Sequence, residues 1–149
     1  METNNDTLHV IYEIESYIRE INNLCRLRER EIVARHAITL PQFNALLLLK
    51  QEGQMTIGEL SHRMSLACST MTDLVDRMEK NKVVERVRNL KDRRMIQIHL
   101  LERGNEMIRQ VLEARRQYFT ELLQLIPVHQ VVAIRDHLNL LHKSMHEQQ

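Results

Sequence analysis

The chain has 149 residues, 43% of them hydrophobic and 28% charged, with three glycines, two prolines, two cysteines and a formal net charge of +1. That length suits one compact domain with or without appended helices, and so little glycine and proline argues for helix over long loops. No apolar run approaches the roughly 18 residues of a membrane span, the N-terminus lacks the basic-then-apolar plan of a secretory signal, and two cysteines make no disulfide framework, so a cytoplasmic protein with no membrane partner is expected.

Ile11, Ile14, Ile18, Ile21 and Cys25 recur at spacings of 3, 4, 3 and 4. They predict a long helix, roughly 8–36, with one narrow apolar seam of the kind that packs against another helix. Thr39-Leu40-Pro41-Gln42 is a capping box with proline in the first turn. It opens a helix whose inner face carries Phe43, Leu46, Leu47 and either Leu49 or Lys50, and Gly53 ends it. Thr56-Ile57-Gly58-Glu59 is a second capping box, opening a short helix over about 57–64 that is buried through Ile57, Leu60 and Met64. A short turn leads to a helix over about 68–81 with Met71, Leu74, Val75 and Met78 inward. At about 100° per residue, Ser69, Asp73, Asp76, Arg77 and Lys80 fall on the opposite face, with Thr70 and Thr72 at its margins.

Residues 83–88 and 95–100 then read as strands, the second alternating Ile96, Ile98 and Leu100 with Gln97 and His99. Between them lies a polar, basic tip, 89–94. A long helix is predicted from about 102 to 125, its stripe Ile108, Val111 or Leu112, Phe119, Leu122 and Ile126, broken by Pro127. A last helix, about 128–147, repeats the seam spacing with Val131, Ile134, Leu138, Leu141 and Met145.

The near-neutral total hides an uneven distribution of charge. Residues 77–94 hold eight basic and three acidic side chains, a local net of +5. A basic patch inside an otherwise neutral chain points to one anionic partner surface. Two short helices joined by a tight turn and followed by a basic hairpin make the winged helix-turn-helix plan. The expected fold is therefore mainly α with a small two- or three-stranded β-wing and long terminal dimerisation helices. Its parts are an N-terminal dimerisation helix (1–37), a DNA-binding lobe (38–100) and C-terminal dimerisation helices (101–149). The second helix of the pair must enter a major groove about 12 Å wide, which calls for short polar side chains near its N-terminus. Ser69, Thr70, Thr72 and Asp73 meet that need, and Arg77 and Lys80 reach further along. Arg88, Lys91, Arg93 and Arg94 on the hairpin suit a minor groove, where negative potential concentrates. Asp92 is expected to hold Arg94 or a turn N–H and so structure the wing.

At these residues the chain resembles the MarR family of bacterial regulators. The matching run is Met55-Thr56-Ile57-Gly58-Glu59-Leu60, then Cys68 through Glu79, then Val83-Val84-Glu85-Arg86 and Asp92-Arg93-Arg94, ending at Gly104. The Asp-x-Arg formed by Asp92 and Arg94 is its most specific element. The resemblance implies a homodimer on a palindromic operator in double-stranded DNA, with 69–77 in the major groove and the wing in the minor groove. It also implies an effector pocket, suited to a small apolar or phenolic ligand, between the DNA-binding lobe and the dimerisation helices, and repression relieved by that ligand. Two positions depart from the family pattern. Lys82 stands where glycine is usual, and Asn81, which tolerates a left-handed conformation, is expected to shift the turn by one. Leu101 replaces a helix-capping threonine.

Other readings compete with this one. Cys25 or Cys68 would serve a redox-responsive regulator, although Cys25 continues an apolar stripe and burial there slows oxidation. His142 and His146, at i,i+4, suit a metal, but no third ligand lies nearby in sequence, so neither metal nor cofactor is expected. No phosphate-cradling loop, nucleophile elbow or zinc motif supports an enzyme. A helical interaction module without DNA accounts for the terminal seams but leaves the basic hairpin unexplained.

Overall fold

The structure is a computed structural model that describes residues 2–92 and 94–147, with side chains from Asp6 onward. Six helices and three strands follow in the order α1 (Glu2–Arg35), α2 (Leu40–Glu52), β1 (Met55–Thr56), α3 (Ile57–Met64), α4 (Cys68–Lys80), β2 (Val84–Arg88), β3 (Ile96–Leu100), α5 (Glu102–Leu123) and α6 (Val128–His146) among the described residues. The chain divides into two compact units, residues 1–111 and 112–149.

Local chemistry places the helix starts of the first unit. Thr39 Oγ1 accepts the Gln42 N–H, and the Gln42 side chain accepts the Thr39 N–H at 2.9 Å. This reciprocal cap satisfies two of the donors that a helix N-terminus leaves unpaired. Gly53 closes α2 at φ 87°, a conformation that favours a residue without Cβ. Thr56 and Glu59 repeat the cap at α3, with Thr56 N donating to Glu59 Oε2 at 2.7 Å and Glu59 N to Thr56 Oγ1 at 3.2 Å. Ser65, at φ 53°, ends α3 in the left-handed region.

The sheet is antiparallel in the order β1-β3-β2. Met55 pairs with Ile98, and the β2–β3 hairpin runs in register from Val84 opposite Leu100 to Arg88 opposite Ile96. The sequence pattern defines only the hairpin, because a two-residue strand has no periodicity to read.

The core of this unit gathers Phe43 and Leu46 from α2, Leu60 from α3, Met71, Val75 and Met78 from α4, Ile98 from β3, and Ile108 and Val111 from α5. Each such side chain stabilises the fold by about 1.5–3 kcal/mol on burial. Two choices the periodicity left open are resolved here. Leu49 is buried and Lys50 exposed, and Val111 is buried while Leu112 is half-buried. Ile57 and Met64, expected to be buried, are only half-buried. One turn departs from the sequence expectation. Asn81 is not left-handed (φ −81°, ψ 1°); Lys82 itself carries φ 57°. The turn therefore does not shift, and a lysine accepts a conformation that costs a residue with Cβ about 1–2 kcal/mol. Gly104, in the first turn of α5, has no room for a Cβ. One built there would lie 2.6 Å from Leu100 Cδ1 and closer still to Val83 O.

Toward its N-terminus, α1 leaves its seam open. Ile11, Ile14, Ile18 and Ile21 are 51, 47, 45 and 58% exposed. Cys25, expected to be buried with them, is half-buried. In the second unit α6 buries no residue among those described, and Phe119 and Leu122, expected in a buried stripe, are exposed. Among the described residues, no single helix is long and apolar enough to cross a membrane.

Candidate nucleic-acid interface

The outer face of α4 presents Ser69, Thr70, Thr72, Asp73, Arg77 and Lys80 to solvent, while Met71, Leu74, Val75 and Met78 anchor the inner face. The helix starts at Ala67, which makes no side-chain cap. Ala67 thus gives the first turn no side-chain partner of the kind that Thr39 and Thr56 give to α2 and α3, and an uncapped helix N-terminus suits an anion. The Thr72 hydroxyl donates to Cys68 O at 2.9 Å, leaving its lone pairs as acceptors. Cys68 is exposed, with Sγ 3.2 Å from Ser61 Oγ. A shallow cavity of about 280 Å³ opens beside this face, with Pro41, Leu66 and Leu74 against Thr70, Asp73 and Arg77.

The β2–β3 tip is a hydrogen-bonded turn. Asn89 is its organiser. Its Oδ1 accepts from Lys91 N at 2.8 Å and Asp92 N at 3.2 Å, and its Nδ2 donates to Gln97 Oε1 at 3.0 Å. Asp92 Oδ1 accepts from Arg94 N at 3.0 Å. Asp92 thus holds the turn through the backbone N–H of Arg94. Arg88, Lys91 and Arg94 are exposed around it, and Leu90 is 99% exposed. Arg93, also expected at this surface, lies outside the described residues. Asn89 was legible as a turn former, since Asn side chains bond their own backbone two residues on, but not as the residue that also reaches across to β3.

A second feature escaped sequence reasoning altogether. Arg86, in the middle of β2, points a guanidinium at α4. Nη1 meets Glu79 Oε2 and Nη2 meets Asp76 Oδ1, each at 2.5 Å, while Arg86 N donates to Glu79 Oε1 at 2.9 Å. Burial disfavours the Arg86 charge, but the hydrogen bonds that its guanidinium donates to Asp76 and Glu79 outweigh it and hold its pKa above the ordinary value. The Arg86 backbone N–H, more than its side chain, holds the Glu79 carboxyl below the usual range. The signal available in sequence was the strand alternation, which puts Arg86 on the same side as the buried Val84 and so calls for an acidic partner. Asp76 is consequently committed to Arg86 as well as lying on the outer half of α4.

His142 Nε2 and His146 Nε2 lie 3.1 Å apart on α6. No group of three or more metal-capable side chains occurs among the described residues.

Residues 38–96 match the sequence model of the MarR family. The chain is 46% identical over 117 residues to YsmB of Bacillus subtilis (strain 168), an uncharacterized HTH-type transcriptional regulator, spanning 78% of this chain and 80% of that one. It is 29% identical over 96 residues to the HTH-type transcriptional repressor MdtR of the same organism, spanning 64% of this chain and 62% of that one. Among solved structures it resembles a MarR family protein from Bacillus stearothermophilus with TM-score 0.76 and 42% identity, over 92% of this chain and 96% of the other.

Proposed function

Since the chain belongs to the MarR family of helix-turn-helix transcriptional regulators and is thereby a DNA-binding protein, we propose that it acts as a cytoplasmic homodimeric repressor that reads a palindromic operator. The observation that carries this reading is the pairing of one solvent-facing polar helix surface with one ordered basic hairpin. On α4, Ser69, Thr70, Thr72, Asp73 and Arg77 face outward with no internal ion pair assigned to Asp73 or Arg77 among the described contacts. In this reading α4 enters the major groove, and Arg88, Lys91, Arg93 and Arg94 approach the adjacent minor groove. Lys80 lies far enough along α4 to reach phosphate.

Dimerisation is supported by the open seams. Residues 1–37 and 101–149 supply the proposed interface and 38–100 the proposed DNA-binding lobe. Symmetric pairing sets two α4 helices one duplex turn apart, roughly 34–36 Å. Repression finds support in the relative MdtR, a transcriptional repressor. Release by a small apolar or phenolic ligand follows the family resemblance.

Titration of a duplex selected from a random-sequence pool tests the reading. Arg77→Ala is expected to weaken binding. Asp73→Ala is expected to relax base preference more than it lowers affinity, since a carboxylate accepts from a cytosine amino group yet repels phosphate. An unchanged ranking of operator variants would remove Asp73 as a reader. Failure to select any duplex, with no salt dependence of binding, would overturn the interface as a whole.

A further inference from the structure

We propose that Arg86 is a positioning residue for DNA binding: by gripping Asp76 and Glu79 together it sets the angle at which the β2–β3 wing leaves α4. The inference rests on the reading of α4 and the wing as two parts of one DNA surface. Asp76 and Glu79 are three residues apart, so their anchor points lie about 4.5 Å apart along the helix axis. A planar guanidinium spans them with one nitrogen each, and the Arg86 backbone N–H adds a third contact, to Glu79. One hydrogen bond would leave a pivot, whereas three contacts at different points fix an orientation.

Stability is a poor account of this arrangement. The Asp76 and Glu79 side chains are 57 and 39% exposed, and partly solvated pairs contribute little net free energy. The buried Val83, Val84 and Ile98 already hold the hairpin to the core. What the apolar contacts do not fix is the tilt of the part beyond them. From Arg86 to the tip the hairpin extends about 15 Å at 3.3 Å per residue. A tilt of about 10° at its base would carry the tip about 2.6 Å, enough to break hydrogen bonds to a groove. Arg86 also faces no DNA-reading role of its own, since both its Nη atoms are engaged with carboxylates.

Neutralisation is the rival account: without Arg86, two carboxylates beside Arg77 and Lys80 would repel phosphate. A double-mutant cycle separates the two. Arg86→Ala, Arg94→Ala and the double variant are titrated with the pool-selected duplex at two salt concentrations, each checked by thermal melting. If Arg86 acts by aiming the wing, each single change weakens binding about tenfold, and the double is no more than about twofold weaker than Arg94→Ala. Additive losses, with Arg94→Ala itself impaired, would overturn the inference alone. An Arg94→Ala protein that binds like the parent would remove the wing reading and the inference with it. Adding Asp76→Asn and Glu79→Gln to Arg86→Ala should not restore affinity; restoration would establish neutralisation instead. Should Arg86→Ala fail to fold, Arg86→Lys carries the test. It keeps the charge but not the two-pronged reach, so it is expected to weaken binding several-fold, and parental affinity would overturn the proposal.

Discussion

Asp92→Ala sets two physical effects against each other with opposite signs. Removing a carboxylate from a DNA-facing loop relieves repulsion. At about 10 Å from a phosphate in water that is worth about 0.4 kcal/mol, and screening at physiological salt lowers it to about 0.1 kcal/mol. Against this stands the loss of the Asp92 Oδ1 contact to Arg94 N at 3.0 Å. A hydrogen bond of this kind contributes about 0.5–1.5 kcal/mol net, and the backbone it releases must be ordered again when DNA binds. The balance favours weaker binding by about 0.4–1.4 kcal/mol, roughly two- to tenfold in Kd. Because the tip is exposed, thermal stability should hardly change. Asn89→Ala provides the charge-neutral companion. It deletes the contacts to Lys91 N, Asp92 N and Gln97, so it should weaken binding in the same direction with no Coulomb term at all. Fluorescence anisotropy of a labelled duplex at two salt concentrations measures both. Tighter binding by Asp92→Ala together with unchanged binding by Asn89→Ala would refute the argument that wing order matters.

Gly104→Ala should destabilise the protein by about 1–3 kcal/mol through overpacking against Val83 O and Leu100, read as a lowered urea midpoint; parental stability would mean that α5 can move away from the turn after α4. Ile14→Glu combined with Ile18→Glu, placed on the open seam of α1, should shift a dimer toward monomer in sedimentation velocity, and a parent that is already monomeric at micromolar concentration would remove the dimer from the proposal. Glu59 has its carboxyl lowered below the usual range first by the Thr56 backbone N–H and then by the Thr56 hydroxyl. Its capping contribution is therefore fully present above the unfolded carboxylate value of about 4.3 and lost as pH falls through the lower folded value. The stability difference between the parent and Glu59→Gln should accordingly shrink as pH falls below 4, and a difference that is flat across this range would deny the carboxylate its role.

Much of this molecule is legible residue by residue. Thr39 with Gln42 and Thr56 with Glu59 mark helix starts because a cap is made within three residues of chain. The outer face of α4 follows from its 100° period, and the turn between β2 and β3 from its Asn and Asp, since each rests on neighbours in sequence. The family resemblance sits in these same local runs, from Met55 to Gly104. Tertiary structure decided the rest. Met55 and Thr56 become a strand only because Ile98 and Gln97 lie beside them. Leu49 was separated from Lys50, and Val111 from Leu112, by which side chain meets the core. Lys82, and not Asn81, takes the left-handed turn because Val83 N must reach Met78 O, at 3.1 Å, while Val83 O receives Leu101 N, at 3.0 Å. Arg86 finds Asp76 and Glu79 across 10 and 7 positions of chain, a meeting set by how β2 crosses α4. Local periodicity records which way a side chain points along its own element; it holds no record of which element stands opposite, and that pairing is what the three-dimensional packing alone supplies.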